Sequence, residues 1–80
     1  MSRYLYTTAE AVIGYFDQDD KYLYTPVGKV IAYFDDQQTY MYTQGGTVYG
    51  HVSQDRKYLY TTAGAVIGYI EPPLPENGQL

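Results

Sequence analysis

Apolar and polar positions along this 80-residue chain recur with a period of 18. The stretch "RYLYTTAEAVIGYFDQDD", residues 3–20, returns as "KYLYTPVGKVIAYFDDQQ" (21–38), "TYMYTQGGTVYGHVSQDR" (39–56) and "KYLYTTAGAVIGYIEPPL" (57–74). Inside each copy, β-branched and aromatic residues alternate with others, and no stretch has the three-and-four spacing of an amphipathic helix, so each copy reads strand, turn, strand, turn. Four tandem 18-residue β-hairpin repeats predict an all-β fold, an eight-stranded antiparallel meander, as one domain over residues 1–74 with 75–80 as a flexible C-terminal tail.

The turns set the register. In "TPVGK", Pro26 suits the fixed φ of a type I turn and Gly28 the left-handed residue that closes a G1 bulge, giving a three-residue hairpin loop. Gly46 and Gly64 fill the same slot, and Glu10 stands there in the first copy, which predicts local strain or an altered turn. Pairing Thr25 with Lys29 sets Tyr24 opposite Val30, Leu23 opposite Ile31 and Tyr22 opposite Ala32. If equivalent residues share a side, the second loop must also be odd, so Gln18-Asp19-Asp20 is expected as a three-residue loop with Asp17 paired to Lys21.

This register predicts a charge-free core face of Tyr22, Tyr24, Val30, Ala32 and Phe34 and their counterparts, with tyrosine rings laid over Gly14, Ala32, Gly50 and Gly68. The opposite face carries an apolar band of Leu5, Ile13, Leu23, Ile31, Met41, Leu59 and Ile67, with Tyr49 in the Ile slot of the third copy. Monomers seldom expose such a band, so it is expected to be an interface and the chain a homo-oligomer, a dimer being favoured. Offsetting each hairpin by two residues accumulates a stagger of eight over eight strands, which suits a closed barrel. An open sheet packed against a second chain is the alternative.

Composition narrows the rest. A chain this short has a marginal core, and with no cysteine it has neither disulfides nor thiolate metal sites. Net charge is −4, and the five basic residues are scattered, which argues against a nucleic-acid partner. No run of about 18 apolar residues or signal-like N-terminus is present, so no membrane association and a soluble, cytoplasmic protein are the default expectations.

Candidate chemistry concentrates in the most divergent copy. His51 stands where other copies have Tyr15, Tyr33 and Tyr69, and it is flanked by Tyr49 and Ser53. These three are the candidate ligand-binding residues. With no second histidine, cysteine or evident nucleophile beside His51, no catalytic residue, metal ligand or cofactor is expected, and the chain is read as non-enzymatic. The acidic turns around Asp17, Asp19, Asp20, Asp35 and Asp36 lack the glycine-containing alternation of a calcium loop and are read as solvated turns that discourage edge pairing. "KYLYTPVGKV" and "KYLYTTAGAV" are faintly similar to the aromatic hairpins of choline-binding cell-wall repeats and to YD repeats. Those families differ in period and in their Trp or Asp positions, so the resemblance implies no ligand site. "PPLP" near the C-terminus has the form of a polyproline II ligand, though a solvated tail is the simpler reading. The expected function is a structural or protein-interaction module acting through self-association or partner binding; the alternative is a small-molecule or carbohydrate-binding module using exposed tyrosines.

Overall fold

The structure, a computed structural model, describes residues 3–75. Eight strands follow in chain order: β1 (Arg3–Tyr6), β2 (Val12–Phe16), β3 (Tyr22–Tyr24), β4 (Val30–Phe34), β5 (Tyr40–Tyr42), β6 (Val48–Val52), β7 (Tyr58–Tyr60) and β8 (Val66–Glu71). Each pairs antiparallel with the next, and β8 pairs with β1, so the meander closes into a barrel. Closure uses the repeat itself. Phe16 pairs with Leu23 at one seam, and their counterparts Ile70 and Leu5 pair at the closing seam. Phe16 also pairs with Arg3 on its other side, two residues short of Leu5, the counterpart of Leu23, so each hairpin shifts the register by two and four hairpins give the stagger of eight that an eight-stranded barrel needs.

The first loop forms as its residues dictate. Gly28 N–H donates to the Thr25 carbonyl and Thr25 N–H to the Lys29 carbonyl, with Gly28 at φ 94°. Thr25 Oγ1 accepts from Lys29 N–H, and Thr7 and Thr61 do the same in their copies. Glu10 takes the left-handed slot at φ 71°, the strained position expected of it.

Beyond this loop the register departs from expectation. Tyr24 does face Val30, but a β-bulge intervenes, and Leu23 then faces Ala32 and Tyr22 faces Tyr33. The extra residue is Ile31, and it exchanges the faces of the first strand in each copy. The second loop is correspondingly even: Asp17 N–H donates to the Tyr22 carbonyl, enclosing four residues, 18–21, instead of three. Its left-handed position is held by Asp20, Gln38 and Arg56 in successive copies.

The core therefore consists of Leu5, Leu23, Met41 and Leu59, all fully buried, with Phe16, Ala32, Phe34, Val52, Ile70 and Leu74. Leu5, Leu23, Met41 and Leu59 were expected at an interface between chains; they fill the barrel instead. Ile13, Ile31 and Ile67, from the same expected band, are half-buried against that core, as is Tyr49. Conversely, the Tyr-x-Tyr pairs expected in the core lie on the outer wall, Tyr4, Tyr22, Tyr40 and Tyr58 being exposed.

The interior is narrow enough to need alternating sizes. Leu5 lies opposite Gly14, Leu23 opposite Ala32, Met41 opposite Gly50 and Leu59 opposite Gly68. At Gly14, Gly50 and Gly68 the glycine serves a close backbone approach and not a covering ring. A Cβ on Gly14 would sit 2.1 Å from the Tyr24 carbonyl oxygen and 3.2 Å from Ile31 Cδ1. Ile67 Cδ1 stands in the same relation to Gly50 and Ile13 Cδ1 to Gly68. Each bulge isoleucine thus reaches across to the glycine of the preceding hairpin and closes the end of the barrel nearest the threonine turns.

Candidate functional site

The outward residues of the strands build an aromatic wall. Three slots per copy over four copies make twelve positions, which hold Tyr4, Tyr6 and Tyr15; Tyr22, Tyr24 and Tyr33; Tyr40, Tyr42 and His51; and Tyr58, Tyr60 and Tyr69. Register brings them together: Tyr15 faces Tyr24, Tyr33 faces Tyr42, His51 faces Tyr60, and Tyr6 faces Tyr69 across the closing seam. The ring centroids of these four pairs lie 5.5, 6.0, 5.8 and 5.3 Å apart, in the range of favourable aromatic contact. Within copies, Tyr22 also lies 6.3 Å from Tyr33, and Tyr40 5.9 Å from His51. The result is a belt around the barrel in which His51 is one ring among twelve.

The three residues singled out in the third copy therefore do three different things. Tyr49 takes the bulge isoleucine's place at the barrel end, and burial pushes its phenol pKa up from 10.0. His51 lies between Tyr40 and Tyr60 in the outer belt. Ser53 replaces the turn aspartate: Asp17 Oδ1 accepts the N–H groups of Lys21 and Tyr22, and Asp35 Oδ1 those of Thr39 and Tyr40. In the third copy Ser53 Oγ accepts from Tyr58 N–H and donates to Asp55, whose Oδ1 accepts from Lys57 N–H. The Ser53 hydroxyl, followed by Lys57 N–H, holds the Asp55 carboxyl below its ordinary value. The structure does not gather Tyr49, His51 and Ser53 into one cleft.

At the opposite end of the barrel the left-handed residues of the second loops make a linked polar set. Arg3 pairs with Asp20 at 2.5 Å. Gln38 Nε2 donates to the Asp20 carbonyl, and Arg56 donates through one nitrogen to Gln38 Oε1 and through Nε to the Pro75 carbonyl. Leu74 N–H donates to the Arg56 carbonyl and Arg3 Nε to the Pro72 carbonyl, which returns the set to its start. Leu74, the fourth copy's counterpart of Asp20, Gln38 and Arg56, points into the core. Burial lowers the Arg56 pKa, against the opposing pull of Asp35. Residues 72–75 are thus folded under the barrel, and Pro75, expected to begin a flexible tail, is held by its carbonyl; residues 76–80 of that expected tail lie outside the described residues.

Open grooves run along the belt. One, of about 550 Å³, is lined by Lys21, Tyr22, Tyr33, Asp36, Tyr42 and Gly46, among others. A second, of about 290 Å³, is lined by Lys57, Tyr58, Tyr69 and Pro73, with Ile70 and Glu71. Lys57, Tyr58 and Tyr69 are the fourth-copy counterparts of Lys21, Tyr22 and Tyr33. The belt is not legible in the sequence because the bulge that turns the tyrosines outward carries no glycine or proline to mark it.

Among the described residues no helix is long and apolar enough to cross a membrane, and the longest strand has six residues, against the about nine to eleven of a membrane-crossing strand. Comparison of the chain with protein-family models, with curated proteins and with solved structures finds no match.

Proposed function

We propose that the protein is a non-enzymatic interaction module that engages a protein partner, a second copy of itself included, through its tyrosine belt. The observation that carries this reading is the outward placement of eleven tyrosines and His51, with the first tyrosine of every copy exposed. Tyrosine offers a large, amphipathic contact area with only two side-chain torsions to fix, which is why it is enriched in binding surfaces. Rings already packed on their neighbours lose less freedom when a partner covers them. Self-association through Leu5, Leu23, Met41 and Leu59 has lost its basis because those side chains are inside the barrel. In this reading the pairing of copies runs through the belt.

The test is site-directed photocrosslinking in an extract of the cells that make the protein. A benzoylphenylalanine at position 22 or 40 is expected to give a discrete protein adduct, competed away by excess unmodified protein, and the adduct mass distinguishes a second copy from another chain. Position 27, at the tip of a turn and 85% exposed, is the control. Crosslinking at 22 and 40 no greater than at 27 would overturn the reading.

A further inference from the structure

We infer that Tyr6 and Tyr69, stacked across the closing seam of the barrel, are an oxidative modification site at which one carbon–carbon bond, an intrachain dityrosine, locks the first strand to the last. The link needs no partner protein, so its failure leaves the interaction reading as it stands. Ring placement carries the inference. Tyr6 and Tyr69 face each other directly between β1 and β8, with centroids 5.3 Å apart and planes at 25°, the shortest ring separation among the described residues. Neighbours on one strand are farther apart and more tilted: Tyr4 and Tyr6 at 6.1 Å and 45°, Tyr22 and Tyr24 at 6.4 Å and 39°, Tyr58 and Tyr60 at 6.3 Å and 38°. Of the other seams, one offers His51 in place of a second phenol, and one holds Tyr33 and Tyr42 tilted by 38°. Tyr15 and Tyr24, at 5.5 Å and 27°, come nearest to the closing pair, but a bond there would join two adjacent hairpins and not the ends of the array.

Burial and chemistry point the same way. Tyr6 and Tyr69 are half-buried, unlike the exposed Tyr4, Tyr22, Tyr40 and Tyr58, so a small oxidant reaches them while each ring already has its reaction partner in contact. Partial desolvation, then the charges of Glu10 and Glu71, hold the Tyr69 phenol above 10.0, so it enters the reaction as the neutral phenol. Two equivalents of an outer-sphere one-electron oxidant take one electron each, and each phenol gives its O–H proton to water. The two tyrosyl radicals couple through ortho carbons. The hydrogen on each coupled carbon then moves as a proton to that ring's oxygen, which restores both aromatic rings and both hydroxyls and leaves the chain two hydrogens lighter. With no cysteine, the chain has no disulfide to constrain its unfolded state; this bond does so across nearly the whole array.

The experiment is oxidation of the full chain at high dilution by photogenerated ruthenium(III) tris-bipyridine, with persulfate as the final electron acceptor. The expected product is a monomer two hydrogens lighter that shows dityrosine fluorescence. Trypsin is expected to release peptide 4–21 joined to peptide 58–80, and fragmentation to place the bond at Tyr6 and Tyr69. The melting temperature of the linked species is expected to rise by about 10 °C or more. Tyr6→Phe and Tyr69→Phe each keep a ring in place and are expected to lose this link, whereas Tyr15→Phe retains it. Because the bond is mapped on the unaltered protein, a variant that fails to fold does not blunt the test. Bonds confined to other tyrosines, bonds mainly between chains, the same pattern of bonds in unfolding urea, or a linked species that melts no higher than the unlinked chain each overturn the inference.

Discussion

Gly50 and Ser53 show how single positions carry this barrel. A Cβ at Gly50 would lie 2.6 Å from the Tyr60 carbonyl oxygen and 2.9 Å from Ile67 Cδ1, so Gly50→Val must push two strands apart. A destabilisation of about 3 kcal/mol is expected in urea unfolding, against about 0.5 kcal/mol or less for Thr47→Val on the exposed turn; similar costs would contradict the close approach. Ala32 sits fully buried in the same slot of the second copy, so one methyl is tolerated where the strands give. At Asp55 the sign follows from a folded-state pKa below the unfolded value of 3.8. Its contribution is full above 3.8 and disappears as pH falls through the lower folded pKa. The Tm gap between wild type and Asp55→Asn is therefore expected to be present at pH 6 and to close below 3.8; a gap that widens in acid would contradict the Ser53–Asp55–Lys57 arrangement.

The hairpin is the element that repeats, and it divides into a part readable in the sequence and a part that was not. Pro26 and Gly28 announce their turn chemically, and the three-residue loop is as they dictate. The bulge at Ile31 has no such signature: isoleucine is an ordinary strand residue, and the positive φ that would mark a second glycine falls on Asp20, Gln38 and Arg56. One unannounced residue exchanges the faces of the first strand, so Ala32 and Phe34 are placed correctly while Tyr22, Leu23 and Tyr24 are reversed. The side chains of the left-handed residues link the barrel's lower end. Arg56→Ala strips Gln38 Oε1 and the Pro75 carbonyl of their donor, and a loss of about 2–3 kcal/mol is expected. Leu74→Ala, emptying a core position, is expected to cost about 2–4 kcal/mol. Urea unfolding that leaves both variants within about 0.5 kcal/mol of wild type would mean that residues 72–75 do not brace the barrel.

At the scale of the whole molecule, 18-residue periodicity, a stagger of two per hairpin and four copies leave no unpaired sheet edge, which is how so short a chain dispenses with disulfides. The stagger of eight that permits closure is legible because stagger survives a bulge, whereas the choice of a closed barrel over an open sheet is made only by the pairing of β8 with β1; the site is not legible, because face assignment does not survive a bulge. His51 breaks the repeat, yet its neighbours Tyr40 and Tyr60 make it a member of the belt, and the two grooves lie in the second and fourth copies. Inside and outside can be told apart in solution by NMR relaxation with a soluble gadolinium chelate. Strong enhancement of the ring protons of Tyr4, Tyr22, Tyr40 and Tyr58, with the methyls of Leu5, Leu23, Met41 and Leu59 protected, is the expected result. Protected tyrosines with enhanced leucine and methionine methyls would contradict the outer belt and everything proposed to bind it.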